Sequence, residues 1–349
     1  MSRILPGISG VLGLAAAGLL MAACGSDAHS GNNPANPVAA TQTAASGPVL
    51  DAWWNSKTPG LRIIYGVTGA AYQGAPEFTG GTYSGAAVCM RAGIALLTTP
   101  AGAWFVTTLP QGIPAPVASQ GIRGAEAVFS PGCAIALAFA AGKPGGVLLR
   151  GLTGTPSASA VSIPVADQAA VSDSGAILVS VPQVDGSAAI ELLAGGSGTP
   201  REVIKVSKLG GMAFVPGSDS ALIADESAGT VTEAANLTGN LSLTHIAGPA
   251  DGIAQPIALA VSGNGHSAVV ANQKDSGIVR IDLTGQSAAV RTVCPCTATE
   301  LRSLAGNLAF RVNEPGTGTV WAYDGDAATP RFAFIPSDET TSATAGGQR

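Results

Sequence analysis

Six segments of one kind recur along the chain. They predict an all-β fold, a single β-propeller of six blades, with seven as the alternative. In each, a short apolar strand runs into a tight turn: residues 86–93, 127–132, 170–175, 212–217, 259–265 and 301–306. Aligned on Met90, Ser130, Ser172, Pro216, Ser262 and Ser303, they are spaced by 40, 42, 44, 46 and 41 residues. Units of about 40–45 residues with several short strands each are the pattern of propeller blades, which bury both faces only by stacking on neighbours. Periodicity agrees. A helical solenoid of similar repeat needs a 3.6-residue apolar rhythm. Instead, runs such as 267–271 and 278–283 alternate with Gly, Asn, Asp and Ser, which reads as strands and hairpins. Composition narrows the function classes. Lys plus Arg is 17, Asp plus Glu is 22, the net charge is −5, and no two Lys or Arg are adjacent. Nucleic acid binding and a polybasic membrane patch both need clustered cations, so neither is expected.

The N-terminus opens with Met1-Ser2-Arg3, then an apolar stretch over residues 8–23, then Cys24. One cation, a short apolar core and small residues before a break predict a secretory signal, too short for a membrane span of about 20 residues. Met21-Ala22-Ala23-Cys24 resembles the bacterial lipoprotein box, with Met21 where Leu is usual. The resemblance implies a signal peptide over 1–23, cleaved before Cys24, and a diacylglycerol on the Cys24 thiol. An ordinary cleaved signal with a chance cysteine and an uncleaved anchor are the alternatives. Two or three acyl chains hold a protein on a bilayer, where one does so only marginally. Gly25, not Asp, follows the cysteine, which in enteric lipoproteins goes with outer-membrane sorting. The expected location is the exported bacterial cell envelope. Residues 24–48, rich in Ser, Gly, Asn, Pro, Ala and Thr, cannot bury enough apolar area to order themselves. They are read as a flexible tether, in which His29 is simply solvated.

Residues 49–337 are the propeller. The best-defined unit, 256–294, has strands at 257–262, 267–271, 278–283 and 289–293. Its second hairpin, Val269-Val270-Ala271-Asn272 through Ser276-Gly277-Ile278-Val279 to Ile281-Asp282, resembles the YVTN-type propeller repeat. Ala224-Asp225 with Gly229, and Val312-Asn313 with Gly318, echo it. WD dipeptides of the WD40 type are absent from the sequence. Asp225, Asn272 and Asn313 are read as turn caps acting through their side chains, with a ligand role as the rival reading. Six first-strand segments favour six blades. Segments 62–67 and 331–335 read as fourth strands, and residues 49–67 as half of a seventh blade is the other option. A strand supplied by one chain end to a blade begun at the other would close the ring and remove a free edge. Residues 338–349 read as a disordered tail.

Export places the domain in an oxidising compartment. Beyond Cys24 there remain Cys89, Cys133, Cys294 and Cys296, which allow three pairings. Cys294-Pro295-Cys296, in an extended strand, would put its Cα atoms about 6.6 Å apart, the outer limit for a disulfide; a turn at Pro295 would bring them closer. A local disulfide or redox pair, free or separately paired thiols, and a metal site all stay open, with Cu(I) the better metal guess. Cys89 and Cys133 could pair across adjacent blades or lie buried as thiols. The segment Cys294-Pro295-Cys296-Thr297, with Gly306-Asn307 and Phe310-Arg311 after it, resembles exported bacterial propellers of unassigned function.

Catalysis finds little in the sequence. No Gly-x-Ser-x-Gly elbow appears, and His245 and His266 stand in no Ser/His/Asp spacing. Four tryptophans are too few for a quinone-cofactor propeller with one per blade. The YVTN resemblance brings lactonase-type or metal-dependent hydrolases as an alternative, with a calcium or zinc centre for which Asp225, Asn272 and Asn313 are the available residues. Trp53 and Trp54 point to opposite faces of a strand, one packed inward and one open to a partner. No cofactor is expected. The function expected is a lipid-anchored, monomeric binding or scaffolding module of the envelope. Its partner would be a protein or glycan; a purely structural envelope protein is the third reading.

Overall fold

Strand sequences such as Ile94–Thr98 (IALLT) and Ile135–Phe139 (IALAF) are apolar on both faces, and both faces are buried. A strand of that kind needs a sheet packed on each side. The computed structural model describes residues 47–336, apart from residues 80, 118–120, 197, 316–318 and 328; Cys24, the signal segment, residues 24–46 of the tether and the tail lie outside the described residues.

Blade 1 is β1 (Val49–Asn55), β2 (Gly60–Val67) and β3 (Ala70–Glu77). Blade 2 is β4 (Gly85–Cys89), β5 (Ile94–Thr98), β6 (Trp104–Thr108) and β7 (Ala115–Val117). Blade 3 is β8 (Glu126–Phe129), β9 (Ile135–Phe139), β10 (Gly146–Arg150) and β11 (Ser157–Val161). Blade 4 is β12 (Gln168–Val171), β13 (Ile177–Pro182), β14 (Ala188–Leu193) and β15 (Arg201–Val206). Blade 5 is β16 (Leu209–Phe214), β17 (Ala221–Asp225), β18 (Thr230–Ala235) and β19 (Ser242–Ala247). Blade 6 is β20 (Pro256–Val261), β21 (Ser267–Asn272), β22 (Gly277–Asp282) and β23 (Val290–Val293). Blade 7 is β24 (Arg302–Ser303), β25 (Ala309–Arg311), β26 (Val320–Asp324) and β27 (Arg331–Ile335). All pairings are antiparallel, and the first strands of neighbouring blades approach one another.

The period-two alternation of each second strand sorts its side chains between two inter-blade cores. In β5, Ala95 and Leu97 face blade 1 while Ile94 and Leu96 face blade 3. In β21, Ala268 and Val270 face blade 5 while Val269 and Ala271 face blade 7. Seven apolar clusters result among the described residues, one for each interface of the ring.

The favoured count of six blades is therefore corrected to seven, the alternative in which 49–67 begins a blade of its own. Segment 62–67 belongs to β2, a second strand and not a fourth one. Blade 1 escapes the repeat because its first turn, Ser56-Lys57-Thr58-Pro59, lacks the glycine that ends each of the six segments. Asn55 Oδ1 holds that turn instead, accepting from the N–H groups of Lys57 and Thr58 at 3.0 and 3.2 Å. No strand is exchanged between the chain ends among the described residues: blade 7 takes its four strands, and blade 1 its three, from consecutive sequence. Two of the six alignment anchors also move by one residue. Val215 and Leu304, not Pro216 and Ser303, make the turn-closing hydrogen bond that Ser130, Ser172 and Ser262 make.

Candidate functional site

On one face of the ring lie the hairpins joining second to third strands and the links from each blade to the next. Between blades 5 and 6 these form a groove of about 470 Å³, lined by Glu226–Gly229, by the link residues Pro249 and Gly252–Gln255, and by Lys274 and Asp275.

Local sequence builds each wall. Asp225 ends β17 and caps the blade 5 hairpin: its carboxylate accepts from Ala228 N–H at 3.0 Å and from Ser207 N–H at 2.8 Å. Lys208 Nζ then bonds Glu226 Oε1 at 2.7 Å. The link turns on Pro249–Asp251, where Asp251 accepts from Gly248 N–H at 2.9 Å. Asn272, at the end of β21, is fully buried and uses both ends of its amide on that link. Its Oδ1 accepts from Ala254 N–H at 3.1 Å, and its Nδ2 donates to Gly252 O at 2.8 Å. In the blade 6 hairpin, Asp275 accepts from Gly277 N–H at 2.9 Å and from Arg291 Nη2 at 2.7 Å. Burial works against the Asp275 carboxylate, but Gly277 N–H, Arg291 and Asn272 outweigh it and hold its pKa below the ordinary carboxylate value. Gln255 and Ser276 take positive φ values of 53° and 50° beside this groove. Such conformations are uncommon for residues with a side chain and persist only where surrounding structure fixes them.

Asp225 and Asn272 thus stand behind opposite walls of one groove, each engaged with backbone groups. Asn313 lies in blade 7 and caps its own hairpin, donating to Thr319 O at 3.0 Å and accepting from Trp321 N–H at 2.7 Å. Among the described residues there is no group of three or more His, Cys, Asp or Glu placed to hold a metal ion. Trp53 is buried at the blade 7–blade 1 interface, and Trp54 is half-buried against the blade 1–blade 2 core. Lys274 and Gln255, exposed on the groove, were not foreseen; their only sequence signal is a place in loops between strands.

The four cysteines form two disulfides. Cys89, closing β4, joins Cys133 in the first turn of blade 3 across a Cα separation of 5.9 Å. Cys294 and Cys296 are bonded to each other with Cα atoms 5.0 Å apart, inside the extended-strand distance, as a turn at Pro295 requires. As a disulfide the pair offers no thiolate to Cu(I).

No family model matches the chain, and no curated protein matches it. Among solved structures, it is similar to a functionally unknown protein from Desulfotomaculum acetoxidans, with a TM-score of 0.56 and 14% identity over 82% of this chain and 99% of that one. A second similarity is to Sqt1 of Saccharomyces cerevisiae, with a TM-score of 0.48 and 11% identity over 83% of this chain and 86% of that one. At such identities a likeness speaks to fold and not to activity. What the first similarity supports is the β-propeller architecture.

Proposed function

We propose that the chain is a binding module of the bacterial envelope, lipid-anchored through Cys24, that takes a segment of an envelope protein or a glycan in the groove between blades 5 and 6. One observation carries this reading: the groove is open, polar and built in advance. Asn272 pins the link, and Asp275–Arg291 and Lys208–Glu226 pin the hairpins, so little ordering remains to oppose association. Glu226, Lys274 and Asp275 supply hydrogen-bonding groups of both charge signs along the walls. That suits a neutral polar ligand rich in hydroxyl or amide groups. A lipid on Cys24 would hold the propeller at a membrane surface.

Two measurements test the reading. A photo-crosslinking residue at Lys274 should capture one envelope component in cells. The same residue at Ile113, which is 92% exposed in a turn on the opposite face, should not. Equal capture at both positions, or none at Lys274, rejects the groove. Metabolic labelling with a fatty-acid analogue should mark the wild type and not Cys24→Ser. An unlabelled wild type that fractionates as soluble protein rejects the anchor.

A further inference from the structure

We propose that the Cys294–Cys296 disulfide is a reversible redox site for an exported protein dithiol, and that its state sets how firmly the blade 6 hairpin is held at the edge of the groove. Each disulfide has one buried and one half-buried cysteine, Cys133 and Cys89 in one and Cys294 and Cys296 in the other; they differ in the chain they close and in its place in the fold. Cys133 is fully buried in the blade 2–blade 3 core and is bonded to a cysteine 44 residues away. Cys294 and Cys296 are two residues apart in the surface link between blades 6 and 7. Pro295 and Thr297 are exposed there, and Cys296 is half-buried. The entropy that a disulfide removes from the unfolded chain grows with the loop it closes. Cys89–Cys133 is therefore a stabilising cross-link, whereas opening Cys294–Cys296 releases almost no chain.

Exchange is written in two steps. A thiolate of the partner dithiol attacks Sγ of Cys296, the more accessible sulfur. An intermolecular disulfide forms, and Cys294 leaves as a thiolate and takes up a proton. The partner's second thiolate then attacks its own sulfur in the mixed disulfide and expels the Cys296 thiolate. Two electrons pass to the chain, and the partner ends as a disulfide. Cys294 is 5% exposed and packs against the blade 6–blade 7 core.

The structural consequence runs through one strand end. Val293 pairs with Gly277, and Cys294 N–H donates to Ser276 O at 3.0 Å. Ser276 is the residue with φ 50°, directly after Asp275 on the groove wall. Closing the ring at Cys294 fixes the acceptor geometry at Ser276; opening it frees the link to swing about Pro295.

The full chain, isolated unreduced, is titrated with dithiothreitol, and free thiols are trapped with a maleimide and mapped by mass spectrometry. Cys294 and Cys296 should be half-labelled at about one-tenth of the reductant that Cys89 and Cys133 require, with the fold intact. Labelling of all four together on unfolding, or of Cys89 and Cys133 first, overturns the proposal. Reduced thioredoxin whose resolving cysteine is replaced by Ser should be trapped on Cys296. Trapping on Cys294, or no adduct, overturns the exchange chemistry. Hydrogen exchange at residues 273–277 should rise on mild reduction while blades 3 and 4 stay unchanged, and Cys294→Ser/Cys296→Ser should show the raised rate without reductant. If that variant does not fold, the wild-type titration alone decides. Unchanged exchange at 273–277 overturns the coupling whether or not the groove binds a ligand.

Discussion

Asp51, Arg311 and Glu300 form the most buried charged group described in the chain. Arg311 bonds Asp51 through Nη1 and Glu300 through Nε at 3.0 Å, joining β1 to β25 and to the link before β24. Burial pushes the Asp51 carboxyl above its ordinary value, against the pull of Arg311. Charges taken out of water add little net stability as a set, but each becomes costly when its partner is removed. Asp51→Ala should lower unfolding stability by about 3–5 kcal/mol in a denaturant titration, because Arg311 stays buried with only Glu300. Asp51→Leu combined with Arg311→Met should recover most of that loss. A single variant that costs nothing, or a double variant worse than the single, removes the triad from the account of ring closure. Nothing local in the sequence announces this group, since its first two members are 260 residues apart. Asn272 is a second case: its place at a strand end before a Gly turn reads as a turn cap, but its amide bonds Ala254 N–H and Gly252 O of the link, 18 and 20 residues away, which no local pattern shows.

At the scale of elements, the groove depends on how closely β16 and β20 approach. A Cβ on Gly210 would lie 1.9 Å from Pro256 O, and one on Gly211 would lie 2.9 Å from Leu259 N. Both obstacles are backbone, so neither can rotate away as a side chain could. Gly210→Ala should cost about 1–3 kcal/mol as an overpacked contact, and it should displace Pro256, the residue after Gln255 of the groove wall. Gly239→Ala, which meets nothing within 4 Å, should leave the melting temperature nearly unchanged. Comparable melting temperatures for the two variants would show that the close approach is not needed. Elements were the most readable level of this protein. In blade 6 the expected strands at 257–262, 267–271, 278–283 and 289–293 match β20 to β23 within a residue at each end, because alternation and turn residues agree there. The Gly210–Gly211 approach was not legible: a glycine pair at the start of a strand looks like any turn in a chain with 47 glycines.

For the whole molecule, ring closure decides where stability is thinnest. Edge logic suggested a strand exchanged between the chain ends, but the chain closes side by side and leaves β3 as the outer strand of a three-stranded blade. Pro76 and a register irregularity opposite Arg62–Ile64 interrupt that strand, devices that discourage further pairing at an edge. The seam itself is held by the Asp51–Arg311–Glu300 group, by Ala305 N–H donating to Leu50 O at 2.8 Å, and by Gln73 Nε2 donating to Pro336 O at 3.1 Å. Its apolar part is small. Among the described residues, eight buried apolar residues lie between blades 7 and 1 and six between blades 1 and 2, against thirteen between blades 4 and 5. Opening free energy follows the apolar contact that an element would lose. Blade 1, flanked by the two leanest cores and lacking a fourth strand, should therefore open before any other. Native-state hydrogen exchange should rank the amides of β1 to β3 as the least protected strand amides of the ring, with β13, β14 and β17 at the global limit. Asp51→Ala should widen that gap, since it weakens only the seam. Protection in β1 to β3 equal to that in β13 and β14 would mean that the ring opens as one unit, and the polar group at the seam would then set the register of closure without marking its weakest point.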